Sequence, residues 1–375
     1  MNILHTIPSV LRSSAGPSYS VMRLCENLLE NNSLTLLSSD EDKQDNPLYL
    51  KTFPVKFGLE KLGYSPKMYK WILRSLSSRD YDLVHNHSLW KLQNIYPSWA
   101  CKRNNIPIVI SPRGTLSNKA LKSGTKLKNF FWPLVQRPAL KNTTLFHATS
   151  EEERSDIRKL GFKQPIAVIP NGIDLPNKII NVKKLKKLLF LGRIHPIKGI
   201  DILLDSWSLV EEDYPDWSLE IVGPDGYDYL RYLEKLKHDL GLKRVKFLKE
   251  ITGEDKLLTY QTSSIFILPS HSENFGVSVA EALSNELPCI VSHGAPWEKL
   301  NSKKAGWWIE NNKEKIASTL RKAFELEEHE LHQMGVNGRE WMKEEFNWKN
   351  IASKMQETYS WIFTGKDKPN YIHLD

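Results

Sequence analysis

Short apolar runs alternate with stretches of helical periodicity along the chain, and the alternation stops once and then starts again. The first series of runs lies at Asn2–Ile7, Leu34–Leu37, Asp82–Asn86, Ile106–Ile110, Thr144–Ala148 and Pro165–Ile169. Helical stretches fall between several of them, at Tyr19–Glu30, Pro66–Leu76, Lys91–Arg103 and Ser150–Leu160. Strand–helix–strand repetition is the pattern of a parallel sheet. A turn cluster, Pro170-Asn171-Gly172-Ile173-Asp174, and a lysine-rich connector, Lys178–Lys187, interrupt it. Beyond them strands are expected at Lys187–Leu191, Trp217–Val222, Val245–Leu248, Ile265–Leu268 and Pro288–Val291. Helices are expected at Gly199–Glu212, Tyr227–Leu240, Glu254–Thr262 and Phe275–Ser284, then at Lys313–Glu327, Glu330–Glu345 and Trp348–Phe363. The polar tail Gly365–Asp375 is expected to fray.

A length of 375 residues exceeds one ordinary core, so the two series are read as two domains. The fold class is α/β, two Rossmann-like doubly wound domains with a cleft between them for a large polar ligand. No apolar run reaches the ~18 residues of a membrane span, and Met1–Ile7 reads as a strand rather than a signal peptide. Cys25, Cys101 and Cys289 lack metal-type spacing and read as buried free thiols in a reducing cytoplasm. The net charge of +8 is unevenly spread, because Leu83–Ser150 contains no Asp or Glu. A one-signed stretch attracts a polyanion, a membrane surface or an anionic substrate.

Chemistry-bearing residues cluster at strand ends. After Leu189-Phe190-Leu191 the chain reads Gly192-Arg193-Ile194-His195-Pro196-Ile197-Lys198-Gly199. Arg193 offers a planar fork and Lys198 a mobile point charge, both placed to neutralise a diphosphate at a strand's carboxyl end. A second elbow follows Ile265–Leu268. It carries Glu273, then the amides of Asn274, Phe275, Gly276 and Val277 at a helix N-terminus, where anions are favoured. Separated from Glu273 by seven residues, Glu281 sits in the apolar stretch Val279–Leu283, where a carboxylate needs a partner such as a ligand hydroxyl. The bland alternatives are a solvated basic turn, a capping carboxylate and an exposed helix residue.

In order and spacing, Gly192-Arg193…Lys198-Gly199, Ile221-Val222-Gly223-Pro224, Leu268-Pro269-Ser270, the Glu273…Glu281 pair and Pro170–Asp174 resemble the GT-B glycosyltransferases, specifically the retaining family 4 group. The resemblance covers nearly the whole chain. It implies an acceptor domain over 1–170, a nucleotide-sugar donor domain over 171–350, and over 351–375 a C-terminal helix packing back on the first domain, with a tail. It implies that Arg193 and Lys198 hold the donor diphosphate, Glu273 approaches the transferred sugar and Glu281 holds the ribose. Gly223 and Lys249-Glu250-Ile251 would line the nucleoside pocket. The implied reaction moves a sugar from a UDP- or GDP-sugar to an acceptor hydroxyl with retention, through an oxocarbenium-like transition state. Basic groups and a helix terminus would do the work of a metal, so no metal or other cofactor is expected.

In the first domain, His85 and His87 share one side of a strand. Their spacing admits a metal, but no third ligand lies nearby in sequence; the resemblance instead puts His87 against the donor sugar. Ser111-Pro112-Arg113-Gly114 resembles a turn at the acceptor side, where Arg113 meets either an acceptor phosphate or a structural carboxylate. In Ser13-Ser14-Ala15-Gly16 the resemblance expects two adjacent glycines near the donor; only Gly16 is present. Asp40-Glu41-Asp42 reads as a solvated acidic loop. Leu116–Lys141 mixes Lys119, Lys122, Lys126 and Lys128 with Phe130, Phe131 and Trp132. It suits a glycan or lipid-linked acceptor and an anionic membrane above nucleic acid, with a charged helix face over a buried aromatic side as the bland alternative. The expected location is the cytoplasm, with peripheral contact on the inner face of the cell membrane and a role in bacterial surface polysaccharide or glycolipid assembly. Rival readings are a nucleotide-sugar epimerase of the same fold and a non-catalytic nucleotide-sugar-binding scaffold. A nicotinamide dehydrogenase lacks its Gly-x-Gly-x-x-Gly after the first strand.

Overall fold

The computed structural model describes residues 1–11, 16–39, 47–117, 121, 130–180, 182–226 and 228–375. The chain divides into two compact units, one of residues 1–172 with 348–375 and the other of residues 173–347. The returning helix spans Trp348–Thr364, so the division falls just before it rather than at 350.

The first unit holds an eight-stranded sheet. Its strands are β1 (Asn2–Thr6), β2 (Ser33–Ser38), β3 (Leu50–Thr52), β4 (Leu83–His87), β5 (Ile108–Ser111), β6 (Leu145–Ala148), β7 (Ile166–Val168) and, from the tail, β14 (Ile372–His373). They lie in the order β14-β7-β6-β5-β4-β1-β2-β3, all parallel except β14 against β7. A parallel sheet is covered on both faces, and the strands show it. Ile3, Leu83 and Val109 enter one apolar cluster while their neighbours Leu4, Val84 and Ile108 enter another. The first cluster is completed by Trp348, Ile351, Ala352, Met355 and Tyr359, whose spacing makes one face of the returning helix. A Cβ at Gly172 would come 2.4 Å from the Trp348 ring, so only glycine lets the chain leave the unit there.

The second unit holds β8 (Lys187–Leu191), β9 (Ser218–Val222), β10 (Val245–Leu248), β11 (Ile265–Leu268), β12 (Cys289–Ser292) and β13 (Gly306–Ile309), all parallel, in the order β10-β9-β8-β11-β12-β13. This is the doubly wound order, and it reverses between β8 and β11. The first sheet reverses likewise between β1 and β4.

Most expected elements form with shifts of one or two residues at their ends. Strands β3 and β13 carried no periodic signal, β3 being three residues long and β13 starting on a glycine. The helix expected over Gly199–Glu212 ends at Trp207 and continues as turns. The three cysteines are buried and free, and burial pushes each thiol up. The tail corrects an expectation. It does not fray: β14 pairs with the outer strand β7, Val168 N–H donates to Tyr371 O at 2.9 Å, and Ile372 is wholly buried. An open strand edge offers unpaired backbone groups, and the tail satisfies them. Ile372→Ala is therefore expected to cost about 2–4 kcal/mol in urea unfolding, whereas Leu374→Ala, at a side chain 57% exposed, should cost almost nothing. Equal, negligible costs would mean a tail that does not pack.

Candidate functional site

In the second unit the residues of interest sit where the strand order reverses. The chain leaves β8 through Gly192 and exposed Arg193, turns through Pro196–Lys198, and enters the helix Ile200–Trp207 by way of Gly199. Gly199 has a φ of +64°, and a Cβ there would meet Pro269 O at 2.2 Å. Glycine is thus required for this turn to lie against the end of β11. His271 N–H donates to Ile197 O at 2.8 Å, tying the two loops together. A third loop joins them: Gly223 packs its backbone so closely on Gly192 that a Cβ would lie 1.9 Å from Gly192 O, and Ile194 N–H donates to Pro224 O.

This knitting brings the Lys198 ammonium onto the Glu273 carboxylate, in an ion pair whose side chains keep 15% and 14% exposure. Ser270 Oγ donates to the same Glu273 oxygen at 2.7 Å, and Glu273 N–H donates to Gly294 O at 2.6 Å. His195 caps its own turn by accepting from Ile197 N–H at 3.0 Å. Its imidazole is held below the usual range by partial burial and by the positive charges of Arg193 and Lys198. The loop therefore carries a concentrated positive field.

Gly276, with a φ of +78°, opens the helix Val277–Ser284. Phe275 turns its ring into the core against Trp297 and Phe346, so only its backbone faces the elbow. Glu281 has partners of the kind its apolar setting demands: Lys256 Nζ at 2.6 Å and the Tyr260 hydroxyl at 2.9 Å. Neither was singled out from the sequence, although both lie one turn apart on the preceding helix. Glu250 is exposed and Ile251 partly buried just past β10.

In the first unit, three strands carry histidine after apolar residues. His5 and His85 are register partners on the adjacent strands β1 and β4, His147 lies on β6 across β5, and His87 lies two residues beyond His85. All four are buried. His87 Nε2 meets His5 Nδ1 at 3.0 Å, and His87 Nδ1 meets an Arg113 guanidinium nitrogen at 3.3 Å. His85 contacts the Tyr359 hydroxyl at 2.6 Å and Ser111 Oγ at 2.7 Å; Ser111 Oγ in turn meets His147 Nδ1 at 2.7 Å. His87, expected to face a sugar, thus has both ring nitrogens engaged within the unit. His5, His85 and His87 offer ring nitrogens within 4.8 Å of one another, a possible metal triad. Every one of those nitrogens already has a hydrogen-bond partner, and a guanidinium abuts the group. The donor set therefore fits a hydrogen-bonded network better than a cation.

Arg113 has no carboxylate within ion-pair distance among the described residues. Its partners are neutral: Asn171 Oδ1 at 2.6 Å, Ser20 Oγ at 3.2 Å and His87. Its Nε is buried without a partner, and burial brings the guanidinium down to about 10. The structural-carboxylate alternative for Arg113 is not what the unit contains: Glu153, the nearby acid, bonds instead to Gly114 and Thr149 N–H groups. Glu153 steadies the guanidinium through space only, so the direct contacts of this buried cation are all neutral and leave room for an anion.

Gly16 opens the helix Gly16–Leu28. Ala15, Asp40–Asp42, Lys119, Lys122, Lys126 and Lys128 lie outside the described residues. Of the aromatics beside these lysines, Trp132 packs on Trp90 and Phe162, while Phe130 and Leu134 are 70% and 72% exposed. Exposed Arg137 and Lys141 continue the outward face.

Two families match the chain, Glycosyltransferase Family 4 over residues 15–176 and Glycosyl transferases group 1 over residues 174–341. Among curated relatives, the D-inositol 3-phosphate glycosyltransferase of Corynebacterium urealyticum is 25% identical over 243 residues, 56% of this chain and 55% of that protein. The mannosylfructose-phosphate synthase of Agrobacterium fabrum is 29% identical over 181 residues, 45% of this chain and 39% of that protein. The matches thus span about half or less of these relatives' length. Among solved structures, Anabaena HepE in complex with UDP and glucose superposes with a TM-score of 0.76 at 17% identity, covering 96% of this chain and 99% of that one.

Burial holds the four histidines neutral, with His5 and His147 lowered to about 3 and His85 and His87 also well below the usual range. The unfolded chain takes protons on them as pH falls through about 6.5, and the folded chain does not. Stability of the first unit is therefore full above pH 6.5 and drops below it, by roughly 1.4 kcal/mol per pH unit for each histidine. Glu153, pushed up by burial, works the other way but is one group against four. Urea midpoints measured from pH 8 to pH 5 should fall steeply below 6.5; a flat profile would mean the imidazoles are not buried neutral.

Proposed function

The chain belongs to the group 1, family 4 type of GT-B glycosyltransferases, and from that premise we propose that it transfers a sugar from a UDP- or GDP-sugar to a hydroxyl of an anionic acceptor, with retention and without a metal. The observation that carries the donor half is the convergence of Arg193, Lys198 and the N-terminus of Val277–Ser284 at the order reversal of the second sheet. Positive groups and a helix terminus there suit a departing diphosphate, whose stabilisation is the largest task in such a transfer. On this reading the Lys198 ammonium passes from Glu273 to the diphosphate when donor binds, which frees Glu273 for the sugar. Glu281, oriented by Lys256 and Tyr260, takes the ribose hydroxyls. Gly192, Gly223, Glu250 and Ile251 border the nucleoside. HepE, which shares the fold, is in complex with UDP and glucose, and this supports a nucleotide-sugar donor for the present chain.

Arg113 carries the acceptor half. Its guanidinium, which no carboxylate contacts directly among the described residues, supports an acceptor that bears a phosphate or carboxylate, and two of the relatives are named for phosphorylated molecules. His87 acts on this reading through Arg113, as the acceptor of its N–H. No helix among the described residues is long and apolar enough to cross a membrane. Phe130, Leu134, Arg137 and Lys141, all exposed within residues 130–141, support peripheral contact with an anionic membrane and a glycan or lipid-linked acceptor. Surface polysaccharide or glycolipid assembly at the cytoplasmic face is the setting this fits.

Saturating UDP or GDP should raise the melting temperature in the presence of a chelator, a ligand at 100 times its Kd adding about 2.7 kcal/mol. Lys198→Ala should still fold, with a lower melting temperature for the free protein because Glu273 loses its ion-pair partner, and should lose most of the nucleotide shift and lower transfer roughly a hundredfold or more. Near-normal turnover in that variant would refute the diphosphate assignment. Vesicles containing anionic lipid should sediment the wild type and release it on Phe130→Ser with Leu134→Ser; equal sedimentation of both proteins would remove the membrane from the reading.

A further inference from the structure

The proton inventory of the buried histidine network runs in one direction only. Arg113 can only donate, so His87 Nδ1 accepts. A neutral His87 then carries its proton on Nε2 and gives it to His5 Nδ1 at 3.0 Å. His5 in turn carries its proton on Nε2, facing the Tyr359 oxygen at 3.5 Å. The other end is fixed independently. The Ile169 carbonyl can only accept, so His147 donates to it from Nε2 at 2.8 Å and accepts at Nδ1 from Ser111 Oγ. The Ser111 oxygen then accepts from His85 Nε2 at 2.7 Å, and His85 Nδ1 accepts from the Tyr359 phenol at 2.6 Å. The two derivations meet at Tyr359 and agree: its hydroxyl donates to His85 and accepts from His5.

We infer that Tyr359, on the returning helix, is a positioning residue for Arg113, because its hydroxyl joins the two halves of this chain in one direction and so reinforces His87 as an acceptor for the guanidinium. If His5 were protonated on Nδ1 instead, it would donate to His87, which would then present N–H to N–H at Arg113. With the phenol present, that tautomer of His5 would face Tyr359 with a lone pair while the phenol proton is already spent on His85. Without the phenol, nothing on the His5 side opposes the reversal. The guanidinium would lose one of its three neutral partners and the orientation they impose together. The role matters for function only if Arg113 meets an anionic acceptor, so it rests on that reading.

The test is a long-range proton–nitrogen correlation spectrum of the histidine side chains in the full chain at pH 7, titrated with inorganic phosphate and followed at His87. In the wild type His5, His85, His87 and His147 should each be a single neutral Nε2–H tautomer. In Tyr359→Phe, His5 and His87 should populate both tautomers, and phosphate affinity read at His87 should fall roughly tenfold, the worth of one hydrogen bond. Ser111→Ala interrupts the chain on the other side of the phenol and should weaken phosphate in the same sense, with Ser111→Thr restoring it; this pair serves if Tyr359→Phe does not fold. An Nδ1–H tautomer or an imidazolium at any of the four in the wild type overturns the inference. So does unchanged phosphate binding in both Tyr359→Phe and Ser111→Ala while Arg113→Ala abolishes it. Phosphate binding unchanged in Arg113→Ala overturns the anionic-acceptor reading itself, and the positioning role with it.

Discussion

A parallel sheet needs cover on both faces, and in the first unit part of one face is covered by a helix that the chain supplies only after building the whole second unit. The rest of that unit depends on this contact. The face of Trp348, Ile351, Ala352, Met355 and Tyr359 closes the apolar cluster over β1, β4 and β5. The same helix brings a phenol to the carboxyl ends of those strands, where the buried side chains change from aliphatic to histidine. Apolar packing and the polar network are therefore two levels of a single contact. The packing fixes where Tyr359 sits, and Tyr359 in turn satisfies imidazoles that would be costly to bury unpaired.

The second unit solves a different problem. Its loops must hold like and unlike charges close together without a metal. Backbone contact does this: Gly199 against Pro269, Gly223 against Gly192, and the amide of His271 on Ile197. Lys198 and Glu273 neutralise each other in the free protein, so neither charge is left uncompensated in a half-buried place. Arg113 contrasts with them, since its direct partners are neutral and Glu153 acts on it only through space.

Much of this was legible in the sequence. Strand ends at Leu191 and Leu268, glycines at 192, 199, 223 and 276, and two glutamates across an elbow mark the second unit's site without a structure, because each is local in the chain. The partners were not legible. Lys256 and Tyr260 reach Glu281 from another helix, and nothing in the sequence sets that register. The histidine network was half visible: His85 and His87 share a strand, and three strands carrying Leu-His, Val-His and Phe-His form a repeated signal. Its meaning depended on sheet order and on a tyrosine 272 residues from His87. The tail was misjudged for a similar reason. Its polar composition suggested fraying, while the open edge of β7, far away in sequence, gave it a place to pair.

The separation of the first unit into 1–172 and 348–375 has a consequence for how the protein is made. On a translating ribosome the second unit, contiguous from 173 to 347, can complete its core as it emerges. The first unit cannot, although most of it emerges earlier: its sheet waits with part of one face bare until Trp348–Thr364 is synthesised, and with one edge open until β14 follows. A nascent chain therefore exposes apolar strand surface for the duration of some 175 further residues, which is the interval in which a chaperone holding that face would matter.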